Sequence, residues 1–101
     1  MSRYKFVVMT NAHEGKEEDL ERWYRDGHID DMLAIPGFQS AERLAVVGDG
    51  PYQNLVLLDI ETDDLDALFA ECARRDGTAL MPASDALDRT RMFTGVFRPV
   101  G

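Results

Sequence analysis

The chain has 101 residues, which suits a single domain over residues 1–101 and leaves little room for a second hydrophobic core. Its composition, 45% hydrophobic and 30% charged residues, is that of an ordinary globular protein, and no apolar run approaches the roughly 18 residues that a membrane span needs. Nineteen acidic against eleven basic side chains give a formal charge of −8, which would repel a phosphate backbone, so we expect neither a nucleic-acid nor a membrane partner.

The amino terminus and the cysteine content indicate a cellular compartment. Lys5 lies beside a short apolar run and no small-residue cleavage site follows, so the first residues do not form a signal-peptide pattern. The single cysteine, Cys72, excludes an internal disulfide and fits a reducing environment. We therefore expect a cytoplasmic protein.

The first half of the chain predicts a strand followed by a helix. Residues 4–10 (YKFVVMT) are aromatic and β-branched, which is typical of a strand, and a turn-prone NAHEG follows. Over residues 16–35 apolar side chains recur at spacings of three and four, which predicts a helix that a Pro-Gly pair ends. Gly27 weakens the middle of this helix and marks a place where it could break.

The second half predicts two strands, a helix, a loop and a final strand. The strands cover 38–47, 55–61 and 92–100, the helix begins at 62–64 and ends before Gly77, and the loop covers 78–90. The run LVLLDIE at 55–61 is almost wholly apolar, as expected for a strand that is covered on both faces.

The order β-α-β-β-α-β predicts an α+β, ferredoxin-like fold, with a four-stranded antiparallel sheet and two helices on one face. This arrangement leaves the other face of the sheet bare. The third strand is apolar on both sides, and no segment of the chain remains to cover it. We therefore expect a homodimer in which two copies stack sheet against sheet.

His28 is the first candidate for chemistry, because it interrupts the apolar stripe of the first helix. Positions 20, 24 and 28 fall near one stripe, so His28 is expected to face the space between helix and sheet with Tyr24. A histidine there could act as general acid or base, and Asp31, three residues on, could orient its ring through a hydrogen bond. The alternative is a structural histidine beside Gly27, satisfied by a backbone carbonyl, and the spacing leaves both open.

Further candidates flank this helix. Trp23 and Tyr24 are adjacent aromatics, and whichever of them faces the sheet could form a ligand wall, with a hydroxyl to offer in the case of Tyr24. Arg43 on the second strand carries a charge that needs an acid or an anionic ligand, the commoner case being a surface salt bridge. Asn11 after the first strand is a further hydrogen-bond donor. No recognised metal-ligand spacing, phosphate loop or dinucleotide fingerprint occurs, so we expect no metal and no cofactor.

The segment EDLERWYRDGHIDDMLAIPGFQSAERLAV, residues 18–46, resembles the dimeric α/β-barrel superfamily, and its nearest branch is the EthD-like proteins. The resemblance implies a ferredoxin-like protomer, a homodimer closed through the sheets and a pocket between sheet and helices. In EthD-like members the helix histidine is the usual catalytic candidate, and it corresponds to His28. Their histidine is commonly followed two residues later by proline, where this chain has Asp30.

These observations favour a small cofactor-independent enzyme that acts on a lipophilic aromatic or carbonyl-bearing molecule, in the manner of an isomerase, cyclase, dehydratase or decarboxylase. His28 would be the acid or base and Asp31 its orienter, while Tyr24, Asn11 and Arg43 would donate hydrogen bonds to a developing oxyanion. One alternative is a cofactor-free monooxygenase, for which Trp23 and Asn11 would flank the substrate. Another is a non-catalytic dimer that binds a hydrophobic compound.

Overall fold

The computed structural model describes residues 2–101, and its elements follow the predicted order. The strands are β1 (Ser2–Thr10), β2 (Phe38–Ala45), β3 (Asn54–Thr62) and β4 (Phe93–Phe97). The helices are α1 (Glu17–Trp23), α2 (Ile29–Leu33) and α3 (Leu65–Arg75), with a π-helical segment (Tyr24–His28) between the first two. All neighbouring strands are antiparallel, in the order β2-β3-β1-β4. The predicted ferredoxin-like fold is confirmed.

The predicted helix over 16–35 is interrupted around Gly27, the place where the sequence allowed a break. The Ile29 N–H donates to the Tyr24 carbonyl five residues back, which is the hydrogen bond of a π-helical turn. Gly27 lies inside this segment, where its poor helix propensity weakens the regular four-residue hydrogen bonding. The wider turn brings side chains five residues apart, rather than four, onto each other.

The core lies between the sheet and the helices. Phe6 of β1 packs against Phe38 and Phe69, with ring centroids 6.4 and 5.0 Å apart. The side chains that are buried with them come from every layer of the fold: Leu20, Tyr24, Met32, Ile35, Val56, Leu58, Ile60 and Leu68. None of the helices between residues 2 and 101 is long and apolar enough to cross a membrane.

The opposite face of the sheet carries no helix, and it is divided into an apolar and a charged half. Strand pairing sets Val7 beside Leu57, and Met9 beside Leu55 and Phe93, so the predicted second apolar side of β3 is present. Leu44, Phe93 and Phe97 are 44%, 41% and 51% exposed there. At the other end of the strands the side chains form ion pairs and a hydrogen bond: Lys5 with Asp59, Arg3 with Glu61, and Ser40 with Asp59.

Candidate functional site

His28 ends the π-helical segment, and its ring is held by other rings. The Trp23 indole stacks on it with centroids 3.9 Å apart and planes 17° from parallel. Tyr24 meets the ring edge-on at 5.6 Å. The five-residue spacing of Trp23 and His28 matches the period of the π-helical turn, so the stack is a direct result of the local backbone. His28 therefore does not simply continue the Tyr24 stripe toward the sheet. It forms a cluster with the Trp23 and Tyr24 rings.

The polar atoms of His28 are unusual. Nδ1 is buried and has no hydrogen-bond partner among residues 2–101. Burial lowers the pKa of His28 to about 4, while the charges of Asp31 and Asp76 raise it and that of Arg89 lowers it. The imidazole is therefore neutral at pH 7, and a buried neutral ring nitrogen without a partner costs on the order of 1–3 kcal/mol.

Asp31 is near His28 but does not hold its buried nitrogen. One Asp31 carboxylate oxygen lies 4.0 Å from the position that a Cβ would take at Gly27. Since Nδ1 accepts or donates no hydrogen bond within the described chain, Asp31 influences the ring through its charge. The hydrogen bond expected from the three-residue spacing is absent at Nδ1, because the π-helical turn rotates the ring toward Trp23.

Tyr24 and Trp23 face different sides, which the sequence left open. The Tyr24 hydroxyl lies 2.9 Å from Thr10 Oγ1 at the end of β1, and burial raises the pKa of this tyrosine. Trp23 faces the loop between α3 and β4 (the 76–92 loop), and its Nε1 donates to the Pro82 carbonyl at 3.0 Å. Tyr24 therefore joins helix to sheet, whereas Trp23 joins helix to loop.

Arg43 has the acidic partner that its position requires. Its guanidinium forms an ion pair with Glu21 of α1 and lies over the Tyr24 ring, 5.2 Å from the centroid. The hydrogen bonds from Arg43 lower the pKa of Glu21. The group is half-buried on the helix side of β2, so the salt bridge weighed from the sequence is observed and a cation–π contact is added to it.

Asn11 is buried, and its amide joins three distant segments. Nδ2 donates to the carbonyls of Pro51 and Arg91, at 3.1 and 3.2 Å, and Oδ1 accepts the Gln53 N–H at 2.9 Å. Both amide hydrogens are thus in use while these contacts are kept. In the structure Asn11 has a structural role, since it links these segments by hydrogen bonds. The sequence does not indicate this role because the partners are 40 to 80 residues away.

A second polar cluster that the sequence did not single out surrounds Asp88. This buried carboxylate accepts from Thr90 Oγ1 at 2.6 Å and from Arg91 Nε at 2.8 Å. The same contacts hold the pKa of Asp88 well below its usual range. The Asp88 N–H also donates to the Asn11 carbonyl at 2.9 Å, so this cluster continues the Asn11 network.

Four surface cavities of about 310–370 Å³ lie away from His28, and none of these four is lined by Trp23, Tyr24 or His28. The most apolar of them, about 330 Å³, is at the apolar half of the bare sheet face: Met9, Leu44, Ala45, Val46, Pro51, Tyr52, Asn54 and Leu55. Where a ligand wall was expected on the first helix, the rings of Trp23, Tyr24 and His28 contact one another. Within residues 2–101 no three His, Cys, Asp or Glu side chains are grouped closely enough to hold a metal ion.

Comparison with known proteins relates the chain to others through its fold. No protein-family model matches it, and no curated protein matches it. A "putative monooxygenase" from Shewanella loihica PV-4 aligns with a TM-score of 0.72 at 18% identity, covering 100% of this chain and 98% of that one. An ethyl tert-butyl ether D (EthD) family protein from Bacillus halodurans C-125 gives 0.61 at 11% identity, with 97% and 99% covered. A DABB family protein with a ferredoxin-like fold from Mesorhizobium loti MAFF303099 gives 0.62 at 14% identity, with both chains covered in full.

These likenesses confirm that the chain has the ferredoxin-like fold of the EthD and DABB proteins, as the resemblance of residues 18–46 predicted. At such low identities the shared feature is the backbone. The reaction has to be argued from the side chains of this chain.

We predict that His28→Leu leaves the free energy of unfolding at pH 7.5 unchanged or raised, because it removes an unpartnered buried nitrogen. Between pH 7.5 and pH 5.0 the wild type should lose about 2 kcal/mol more than the variant. In that range the unfolded histidine, with a pKa of about 6.5, takes up a proton that the folded one, with a pKa of about 4, does not. Urea unfolding at the two pH values measures this, with the exposed His13 replaced in His13→Gln as control. Equal losses in wild type and His28→Leu would contradict the buried neutral ring.

We predict that Asn11→Ala lowers the free energy of unfolding by about 2–4 kcal/mol, since two carbonyls and one N–H lose their partner. Asn11→Asp should also destabilise, because it turns a carboxylate toward the carbonyls of Pro51 and Arg91. The exposed Gln39→Ala is the control and should change stability by less than about 0.5 kcal/mol. Urea unfolding curves measure both variants. If Asn11→Ala were as stable as Gln39→Ala, the structural role of Asn11 would be contradicted, and a role in ligand binding would be favoured instead.

Proposed function

We propose that this chain is a cytoplasmic, cofactor-independent enzyme in which neutral His28 accepts and returns a proton on a lipophilic aromatic or carbonyl-bearing small molecule. One observation carries the proposal: an imidazole buried among aromatic rings, with a nitrogen that has no hydrogen-bond partner in residues 2–101. Folding alone gives no reason to retain such a group, since a leucine of similar size would avoid the cost. Perturbed titratable groups of this kind are concentrated at functional sites.

The environment suits reversible proton transfer. Above pH 5 the ring is in the base form. Because Nδ1 is enclosed, we assign the ring proton to Nδ1 and the lone pair that accepts the proton of the substrate to Nε2. An imidazolium with a depressed pKa is a stronger acid than free imidazolium, so it returns its proton readily, as isomerisation, dehydration or cyclisation requires. A developing enolate or phenolate beside the ring would stabilise the imidazolium, as the charges of Asp31 and Asp76 already do in part.

The apolar surroundings favour a lipophilic substrate. Trp23 and Tyr24 are the nearest rings, and the Tyr24 hydroxyl and Arg43 guanidinium are the polar groups on the sheet side of the same segment. Arg43 is shared with Glu21, so it would act as a donor to an oxyanion only by partly leaving that ion pair. A second candidate is cofactor-free oxygenation, favoured by the description of the Shewanella loihica structure as a "putative monooxygenase".

We further propose that the protein is a homodimer, with a second copy on the bare face of the sheet. The apolar half of that face would be enclosed, and its neighbouring charged half carries both signs, so that like surfaces of two copies can be complementary. Single exposed apolar residues are common, but a contiguous patch across four strands indicates an interaction surface.

For the reaction, we predict that the wild type catalyses exchange of an acidic C–H proton for deuterium in members of a panel of aromatic ketones, lactones and phenols in D2O, followed by NMR. His28→Gln should slow this exchange at least about 100-fold, the lower end of general acid–base contributions. His13→Gln, which replaces the other histidine of the chain, should exchange at the wild-type rate. Oxygen uptake with the same compounds tests the monooxygenase alternative, and binding without exchange or oxygen uptake would favour a non-catalytic ligand-binding protein.

For the assembly, we predict that sedimentation at micromolar concentration gives twice the 11.4 kDa chain mass. Leu57→Glu, on the bare face of β3, should give a monomer because it buries a charge in the interface. Leu80→Glu is the matched control, since Leu80 is 55% exposed in the 76–92 loop. A folded wild-type monomer at this concentration, or a dimer that survives Leu57→Glu, would exclude this interface.

A further inference from the structure

We propose that Trp23 is the positioning residue of this site: its indole fixes the orientation of the His28 ring on one side and ties the 76–92 loop over the site on the other. This inference rests on the proposed function of His28 and concerns a residue that the sequence offered only as a ligand wall.

The first step is that no hydrogen bond orients His28 through Nδ1. A histidine that transfers protons is commonly held by a carboxylate or a carbonyl on one nitrogen, while the other nitrogen reacts. Here Nδ1 has no such partner in the described residues 2–101, and Asp31 does not supply one. The ring must therefore be oriented by packing.

The second step is that Trp23 provides the largest packing contact. Its face lies parallel to the imidazole at 3.9 Å, whereas Tyr24 touches the ring with an edge-on geometry at 5.6 Å. The Trp23 and Tyr24 rings also contact each other at 5.0 Å, which limits the movement of all three rings. Rotation of the imidazole about its side chain would break the stack.

The third step links the ring to the loop. Trp23 Nε1 donates to the Pro82 carbonyl, and the adjacent Met81 is buried. Asp76 at the start of the loop and Arg89 near its end both act electrostatically on His28. The middle of the loop is thus attached to the residue that stacks on the imidazole. A displacement of the loop and a displacement of the ring are coupled through Trp23.

The charges around His28 come from α2 and from the 76–92 loop. Asp31 is on α2, Asp76 follows α3 and Arg89 is in the loop, while the Tyr24 hydroxyl is directed to Thr10. The two carboxylates favour the imidazolium and the guanidinium opposes it, but burial is the larger effect on the ring. Because burial is the larger effect, loss of the Trp23 cover should raise the pKa of His28 toward its ordinary value of about 6.5.

The test compares Trp23→Phe with Trp23→Leu. Phenylalanine keeps a ring for stacking but cannot donate to Pro82, and leucine removes both contacts. An NMR titration of His28 in the full chain should give a pKa that rises modestly in Trp23→Phe and by at least about one pH unit in Trp23→Leu. Amide exchange at Gly77, whose N–H donates to the Met81 carbonyl, should accelerate in both variants because both release the loop.

The control is Leu65→Ala, which removes a half-buried side chain at the start of α3 and should lower stability without moving the titration of His28. If Trp23→Leu fails to fold, Gly77 exchange in Trp23→Phe still tests whether the Trp23–Pro82 hydrogen bond holds the loop. An unchanged His28 titration together with unchanged Gly77 exchange in a folded Trp23 variant would overturn the positioning role. These readouts need no substrate, so they test the positioning role separately from the proposed function. The proposed function fails if no compound of the panel shows proton exchange or oxygen uptake, or if His28→Gln leaves the rates unchanged.

Discussion

One hydrogen bond, from the Ile29 N–H to the Tyr24 carbonyl, determines how the candidate site is built. It widens a single turn so that five residues, and not four, separate neighbours along the helix. As a result Tyr24 remains directed at the sheet while His28 rotates under Trp23. Had the helix continued regularly, the imidazole would have followed Tyr24 into the core between helix and sheet. Wide turns of this kind are often found at functional sites, and the geometry here explains why one would be retained.

The interactions around this turn connect all layers of the protein. On the sheet side, Tyr24 is fixed by Thr10 and covered by the Arg43 guanidinium, which Glu21 holds in place. On the loop side, Trp23 is fixed by Pro82. His28 lies between these two supports and contributes no hydrogen bond at Nδ1 to either. The cluster is therefore arranged around the histidine by ring packing, without a hydrogen bond to Nδ1.

The sequence was sufficient for the fold and insufficient for the contacts at the site. The fold follows from the order of strands and helices along the chain, and the two-sided apolar pattern of β3 follows from its nearly continuous apolar run. The π-helical turn could not be predicted from periodicity, since Leu20, Tyr24 and Met32 remain buried in either geometry. Gly27 was the only local sign of it. The Asn11 and Asp88 networks depend on partners far along the chain, and short-range patterns contain no information about them.

The Asn11 network has a consequence for how the chain folds. Its amide needs the end of β1, the connection between β2 and β3, and the residues just before β4, so it forms only after segments up to 80 residues apart have met. Contacts that close such long loops are entropically expensive and tend to form late. A misregistered or partly assembled sheet would leave this buried amide and its carbonyls unpaired. The Asn11 hydrogen bonds therefore stabilise only the native topology, in which all three segments have come together at the end of β1.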